Sequence, residues 1–201
     1  KRELCKFCPV KFEEIKNMAI IEEAPNVVQE VEKVLFSVIN DQIEKSVSKQ
    51  DGWKGSYDLV TDKDSECTQF APSDWPKDES GTDFARYELY CIEPEGSSFE
   101  WLSCATGLRN AMLCFQFSID NSSINISTRE KKRLCQDFFA RTSALSKSGF
   151  MYKKTGEIYI PFAFDAETLA NEYPDFDEAK EILDKALKTL FEVHPLFDAF
   201  V

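Results

Sequence analysis

Between Val27 and Val47 the apolar positions Val28, Val31, Leu35, Val38, Ile39 and Ile43 recur every three or four residues. Glu30, Glu32, Lys33, Asp41, Glu44 and Lys45 fall mostly off that stripe, and the period predicts a long amphipathic helix. Phe12, Ile15 and Ala19 have the same spacing, so residues 1–50 read as a helical hairpin, or a short helix followed by a long one. Pro25, after Glu23-Ala24, suits the first turn of the second helix.

Further along, the period changes to two. Tyr87, Leu89 and Cys91 alternate with Arg86, Glu88 and Tyr90, and Ala111, Leu113, Phe115, Phe117 and Ile119 alternate with Met112, Cys114, Gln116 and Ser118. Both runs predict strands. Phe99–Thr106 is expected to be a strand between them, completing an antiparallel meander. A short strand is expected at 57–60, after the turn residues Asp51-Gly-Trp-Lys-Gly55. Residues 61–84, acidic and carrying Pro72, Pro76 and Gly81, read as a long surface loop.

Ser127-Thr-Arg-Glu130 matches a capping box, with Ser127 as N-cap of a helix running to near Gly149. Residues 150–153 and 157–164 form a predicted hairpin around Lys154-Thr-Gly156. Pro161 has no N–H to donate, so its strand is expected at an edge, or paired on one side only at that point. A short helix from Ala166 ends before Pro174. The last helix takes Asp175 as N-cap and buries Ala179, Ile182, Leu183, Ala186, Leu187, Leu190 and Phe191. The expected architecture is a single α+β domain over residues 1–201: a mainly antiparallel sheet of about five strands, with N- and C-terminal helices packed on it.

Composition narrows the chemistry. The seven glycines form neither G-x-G-x-x-G nor G-x-x-x-x-G-K-[ST], which argues against the common nucleotide-binding loops. One histidine, His194, is too few for two-histidine metal sites. Several of the seven cysteines alternate with apolar residues, as buried free thiols do, which points to a cytoplasmic protein. Asn121-Ser-Ser and Asn125-Ile-Ser are glycosylation-type triplets, a pattern too short to outweigh that reading. No apolar run is long enough to span a membrane.

Candidate sites are sparse. Cys5-Lys-Phe-Cys8 has the spacing of half a zinc knuckle, but no second pair completes it, so Cys5 and Cys8 are weak metal candidates and no cofactor is expected. Asp62, Asp64 and Glu66 alternate like the first ligands of a calcium loop. Cys67 and Ser73 stand where such a loop needs glycine and glutamate. Asp83, Glu88, Glu100 and Asp120 are the strand-associated carboxylates that a metal-dependent hydrolase or nuclease would need to bring together.

Charge is distributed unevenly. The chain carries a net charge of −12, which argues against direct nucleic-acid binding. Residues 51–126 hold fourteen acidic and five basic residues, whereas residues 127–150 hold six basic and two acidic. This division points to a non-enzymatic, homodimeric interaction protein (inhibitor, immunity-type or adaptor) that binds a basic partner through its acidic 58–100 region. The residues expected to face partners are Asp62, Asp64, Glu66, Asp74, Asp78 and Glu79 on the acidic side, and Arg129, Lys132 and Arg133 on the basic side. Phe197 and Phe200, in a tail unusually apolar for a terminus, are candidates for a subunit interface or for docking on their own domain.

Overall fold

The amphipathic stripe of residues 27–47 forms helix α1, Pro25–Val47, with Val31, Leu35, Ile39 and Ile43 buried. In the computed structural model, which describes residues 25–57, 68–79, 81, 83–92, 101–120 and 126–201, α1 packs against the last helix of the chain. The expected helix at Phe12–Ala19, the Cys5/Cys8 pair, the expected strand residues 58–60, and Asp62, Asp64 and Glu66 lie outside the described residues.

Strands β1 (Trp53–Ser56), β2 (Gln69–Pro72) and β3 (Ala85–Ile92) are followed by the short helix α2 (Trp101–Ala105) and a 3-10 turn at Leu108–Asn110. Then come β4 (Met112–Ile119), helices α3 (Thr128–Arg141) and α4 (Ser143–Lys147), and the hairpin β5 (Met151–Tyr152) and β6 (Ile158–Phe162). Helices α5 (Ala166–Glu172) and α6 (Asp177–Asp198) close the chain. The strands make one antiparallel sheet in the order β1-β2-β3-β4-β6-β5, so the α+β class is as expected.

The alternation in β3 and β4 does what the pattern requires. Tyr87 pairs with Phe117, Leu89 with Phe115 and Cys91 with Leu113, and all six side chains are buried on one face. Ile158, Ile160 and Phe162 of β6 continue that face, and α6 packs against β6. Pro161 faces Cys114 of β4, while β5 pairs only with Ile158 and Tyr159. The proline therefore sits beyond the end of β5 and is paired on one side only, as expected.

Three expectations are corrected. The expected 61–84 loop contains a strand, β2, and β1 overlaps the Asp51–Gly55 turn segment in place of the strand expected at 57–60; the sheet, expected at about five strands, has six. Phe70 and Ala71 of β2 and Trp75 just after it are buried, and that burial offsets the weak strand propensity of a Gln-Phe-Ala-Pro segment. The expected strand 99–106 is instead α2, which buries Leu102, Ser103, Cys104 and Ala105. Its first turn is held by Glu32 of α1, whose Oε1 accepts from Leu102 N at 3.0 Å. The last helix begins one residue later than expected. Phe176, not Asp175, is its N-cap, in a left-handed conformation (φ 51°) that places its ring in the core beside Tyr173.

The cysteine reading also changes. Cys91 of β3 and Cys104 of α2 are paired as a disulfide, with Cα atoms 5.9 Å apart, rather than free. Cys114 and Cys135 are free and buried. Among the described residues, no helix is long and apolar enough to cross a membrane.

Candidate interaction surfaces

Strands β1 and β2 carry described parts of the acidic stretch, and β5 lies at the end of the basic one. The described residues among 51–83, which carry β1 and β2, hold five acids (Asp51, Asp74, Asp78, Glu79 and Asp83) and two bases (Lys54 and Lys77), a net −3. Residues 127–154, which carry α3, α4, β5 and the start of the hairpin turn, hold eight basic and two acidic residues, a net +6. β1 and β5 are the two edges of the sheet. With five strand-to-strand spacings of about 4.8 Å between them, the edges stand about 24 Å apart.

The basic edge is built on a rigid seat. The expected capping box at the start of α3 is present: Ser127 Oγ accepts from Glu130 N at 3.2 Å, and Glu130 Oε2 accepts from Ser127 N at 3.0 Å and Ser127 Oγ at 2.7 Å. Those hydrogen bonds, the side-chain one first, hold the Glu130 carboxyl below its ordinary range, with the Arg133 charge adding to them. The one acid in the first turn of α3 is thus occupied by the cap. Lys131 Nζ donates to the Ile119 carbonyl at 2.8 Å, tying the helix to the end of β4. Phe139 stacks on Tyr152 of β5, and Phe138 stacks on Phe200 with centroids 4.4 Å apart.

Only Cys135 of α3 is fully buried, and burial pushes its thiol up to about 11. Arg129, Arg133 and Arg141 are exposed, Lys132 is half-buried, and Lys147, Lys153 and Lys154 are exposed around them. The helix ends at Arg141, where Thr142 leaves helical geometry before α4, so the expected single helix to Gly149 is two.

At the acidic edge Asp74 and Glu79 are exposed and Asp78 is half-buried, each close in sequence to the buried Trp75. Trp75 Nε1 donates to Asp198 Oδ1 at 2.8 Å and so anchors this connection to the end of α6. Asp83 is neutralised locally by Lys54 and Lys77.

Phe197 and Phe200 do not form a free apolar surface. Phe197 is fully buried against Tyr87, Phe117, Phe138 and Phe150, and Phe200 is half-buried against Phe117 and Phe138. The tail docks on its own domain, where it supports the inner side of the basic helix.

The carboxylates of the metal-hydrolase alternative are individually engaged. Glu88 accepts from Arg86 Nε and from Ser118 Oγ, both at 2.6 Å, and Asp83 is ion-paired as above. Glu100 lies outside the described residues. Among the described residues, no group of three or more His, Cys, Asp or Glu side chains is placed to hold a metal ion.

His194 is enclosed by Trp53, Trp75 and Tyr87, and its Nε2 lies 3.0 Å from Asp198 Oδ1. A carboxylate only accepts, so Nε2 carries the proton of the neutral ring and Nδ1 accepts from Tyr87 Oη at 3.3 Å. Both ring nitrogens are occupied by structural partners, and no serine, threonine or cysteine is among them.

An open cleft of about 480 Å³ between α5 and the first turns of α6 is lined by Glu172, Asp177, Glu178, Glu181, Ile182 and Lys185. Asp177, Glu178 and Glu181 have the spacing that puts acids on one side of the first turns of a helix. Glu172 is partly committed, since its Oε2 accepts from Glu178 N at 2.8 Å. Comparison with protein-family models, curated proteins and solved structures gave no match, so neither fold nor function is carried over from a relative.

Proposed function

We propose that this chain is a non-enzymatic interaction protein, of an inhibitor, immunity or adaptor kind, that binds a basic partner through its acidic 58–100 region and self-associates. The observation that carries the reading is the segregation of charge along the chain, −6 over residues 51–83 and +6 over residues 127–154. Like charges gathered in one segment reinforce one another's potential, which speeds encounter with a complementary surface and sets its orientation. The engaged states of Asp83, Glu88 and His194 favour binding over catalysis, because each is already satisfied by its neighbours.

The cytoplasm is the proposed compartment. Its support is the pair of buried free thiols, Cys114 and Cys135, and the Cys91–Cys104 pairing weighs against it.

Native mass spectrometry of the protein purified from its own source tests the functional reading. The expected species is a complex with a basic protein or a second copy, dissociating as salt is raised. A monomer carrying stoichiometric metal, with catalysis lost on Glu88→Gln, overturns it.

A further inference from the structure

Helix α3 carries its cations at the end where a helix tolerates them least. Arg129 stands second in the helix, after the N-cap Ser127 and Thr128, and Lys131, Lys132 and Arg133 follow within the next turn. The partial positive charge of a helix N-terminus repels cations. Arg129 is also three residues from Lys132 and four from Arg133, the spacings at which like charges repel one another on a helix. Helix α6 shows the stabilising arrangement, with Asp177 and Glu178 in its first turn.

Local stability therefore does not account for Arg129, Lys132 and Arg133. We infer that these three side chains form a docking face for an extended, carboxylate-rich segment of another protein. This goes beyond the reading above, which concerns the acidic stretch, and either can fail without the other.

The cations have no other employment. Arg129 and Arg133 are exposed and Lys132 is half-buried. Among the described residues, none of the three makes an ion pair or a side-chain hydrogen bond. Lys131 differs, since its Nζ donates to the Ile119 carbonyl. The intervening acid, Glu130, is held in the cap by Ser127 N and Ser127 Oγ.

The shape of the face selects its occupant. At about 100° per residue, Arg129 and Lys132 lie to one side of Arg133, and Glu130 and Asp137 lie to the other. The cations thus form a strip bordered by acids. Arg129 and Arg133 are about 6 Å apart along the helix axis. Alternate side chains of an extended segment are about 6.7 Å apart, so two carboxylates on one side of it match the two guanidinium groups. Each guanidinium can then donate two parallel N–H bonds to one carboxylate. A DNA duplex or an anionic membrane presents charge over a wider front, where the net charge of −12 opposes approach.

The strip is also held in place before anything binds. The capping box and Lys131 fix the first turns of α3, and Phe139 stacks on Tyr152. The β5–β6 turn lies so close that a Cβ on Gly156 would stand 2.9 Å from Lys132 Cγ. A preorganised face loses little freedom when its partner arrives.

The full chain carrying Arg129→Gln and Arg133→Gln tests the inference. Fluorescence anisotropy of a labelled oligoglutamate peptide reads binding at about 0.1 M salt, with about 1 M salt as the screened control. The wild type is expected to bind at the lower salt only. The variant should bind about fivefold or more weakly, because two exposed charge pairs are lost. Its melting temperature should rise by about 1–3 °C, since the repulsion at the start of α3 is relieved. Weaker binding by a more stable protein is a combination that a merely structural role does not produce.

A peptide that does not bind the wild type, or binds the variant equally, overturns the inference. So does a melting temperature lowered by several degrees, which would make the arginines structural. Tighter binding of a DNA duplex or of phosphatidylserine vesicles than of the peptide identifies another occupant and also overturns it. Self-association of the wild type that the variant loses does the same in favour of a second copy. An oligolysine peptide reports on the acidic stretch separately. It should bind both proteins, and its failure to bind counts against that reading and not against this one.

Discussion

His194 Nε2 lies 3.0 Å from Asp198 Oδ1, one turn further along α6, and the same carboxylate oxygen accepts from Trp75 Nε1 at 2.8 Å. With Tyr87 Oη at Nδ1, this joins the end of the last helix to β3 and to the connection after β2. The groups facing the ring are Tyr87 from β3, Asp198 from its own helix, Asp74 from the β2–β3 connection, and uncharged Trp53 from β1.

Burial lowers the His194 pKa below the usual imidazole value, and Asp198 and then Asp74 only partly offset it. The folded protein thus keeps the ring neutral to a lower pH than the unfolded chain does. Below about 6.5 the unfolded chain binds more protons, so stability falls as pH falls through that window, down to the folded value. Urea denaturation at about pH 7.5 and about pH 5 should show a larger acid loss for wild type than for His194→Gln. Equal losses would remove His194 as the source.

Glu32 shows a buried charge placed to cap a neighbouring helix. It is 7% exposed, and its Oε1 accepts from Leu102 N at the start of α2. Glu32→Ala leaves that buried donor without its acceptor, a loss of about 1–3 kcal/mol. Denaturation measures the cost. Hydrogen exchange should locate it, with the Leu102 amide losing protection before the amides of β3.

The helices and long strands were legible because their apolar periods extend over many residues, as in α1 from Val31 to Ile43 and in β4 from Leu113 to Ile119. The short elements were not. Residues 99–106 alternate well enough to pass as a strand, and two distant residues accompany their helical form: Glu32, 70 positions away from Leu102, and Cys91, bonded to Cys104. β1 and β2 are four residues each, and tertiary burial of Phe70 outweighs local propensity there. The charge segregation could be counted directly from sequence. The place of β5 at an edge could not, because it depends on β6 inserting between β4 and β5.

Gly156 marks where the β5–β6 turn meets the basic helix. Its φ is 111°, and a Cβ there would lie 2.9 Å from Lys132 Cγ and 3.3 Å from Lys132 Cα. Gly156→Ala therefore combines backbone strain with a clash against α3, at a cost of about 1–3 kcal/mol. The substitution should also weaken the hydrogen bond from Tyr152 Oη to the Lys132 carbonyl, 3.4 Å in this structure. A melting temperature unchanged from wild type would show that helix and turn are not in contact as described.

The two tail phenylalanines should separate by experiment. Phe197 is fully buried among four aromatic rings from β3, β4, α3 and the residue before β5, so Phe197→Ala opens a cavity costing about 3–5 kcal/mol. Phe200 is half-buried, and its ring stacks on Phe138 with planes 20° apart. Removing it forfeits a stacking contact and partial burial, about 1–2 kcal/mol. The smaller loss should be localised, because Phe138 is one of the few side chains seating α3. Hydrogen exchange of the Phe200→Ala protein is expected to show faster opening of residues 128–141 with β3 and β4 unchanged. Unaltered protection of α3 would mean that its seat is held by Lys131 and the Phe139–Tyr152 stack alone, and the tail would then have no part in positioning the basic surface.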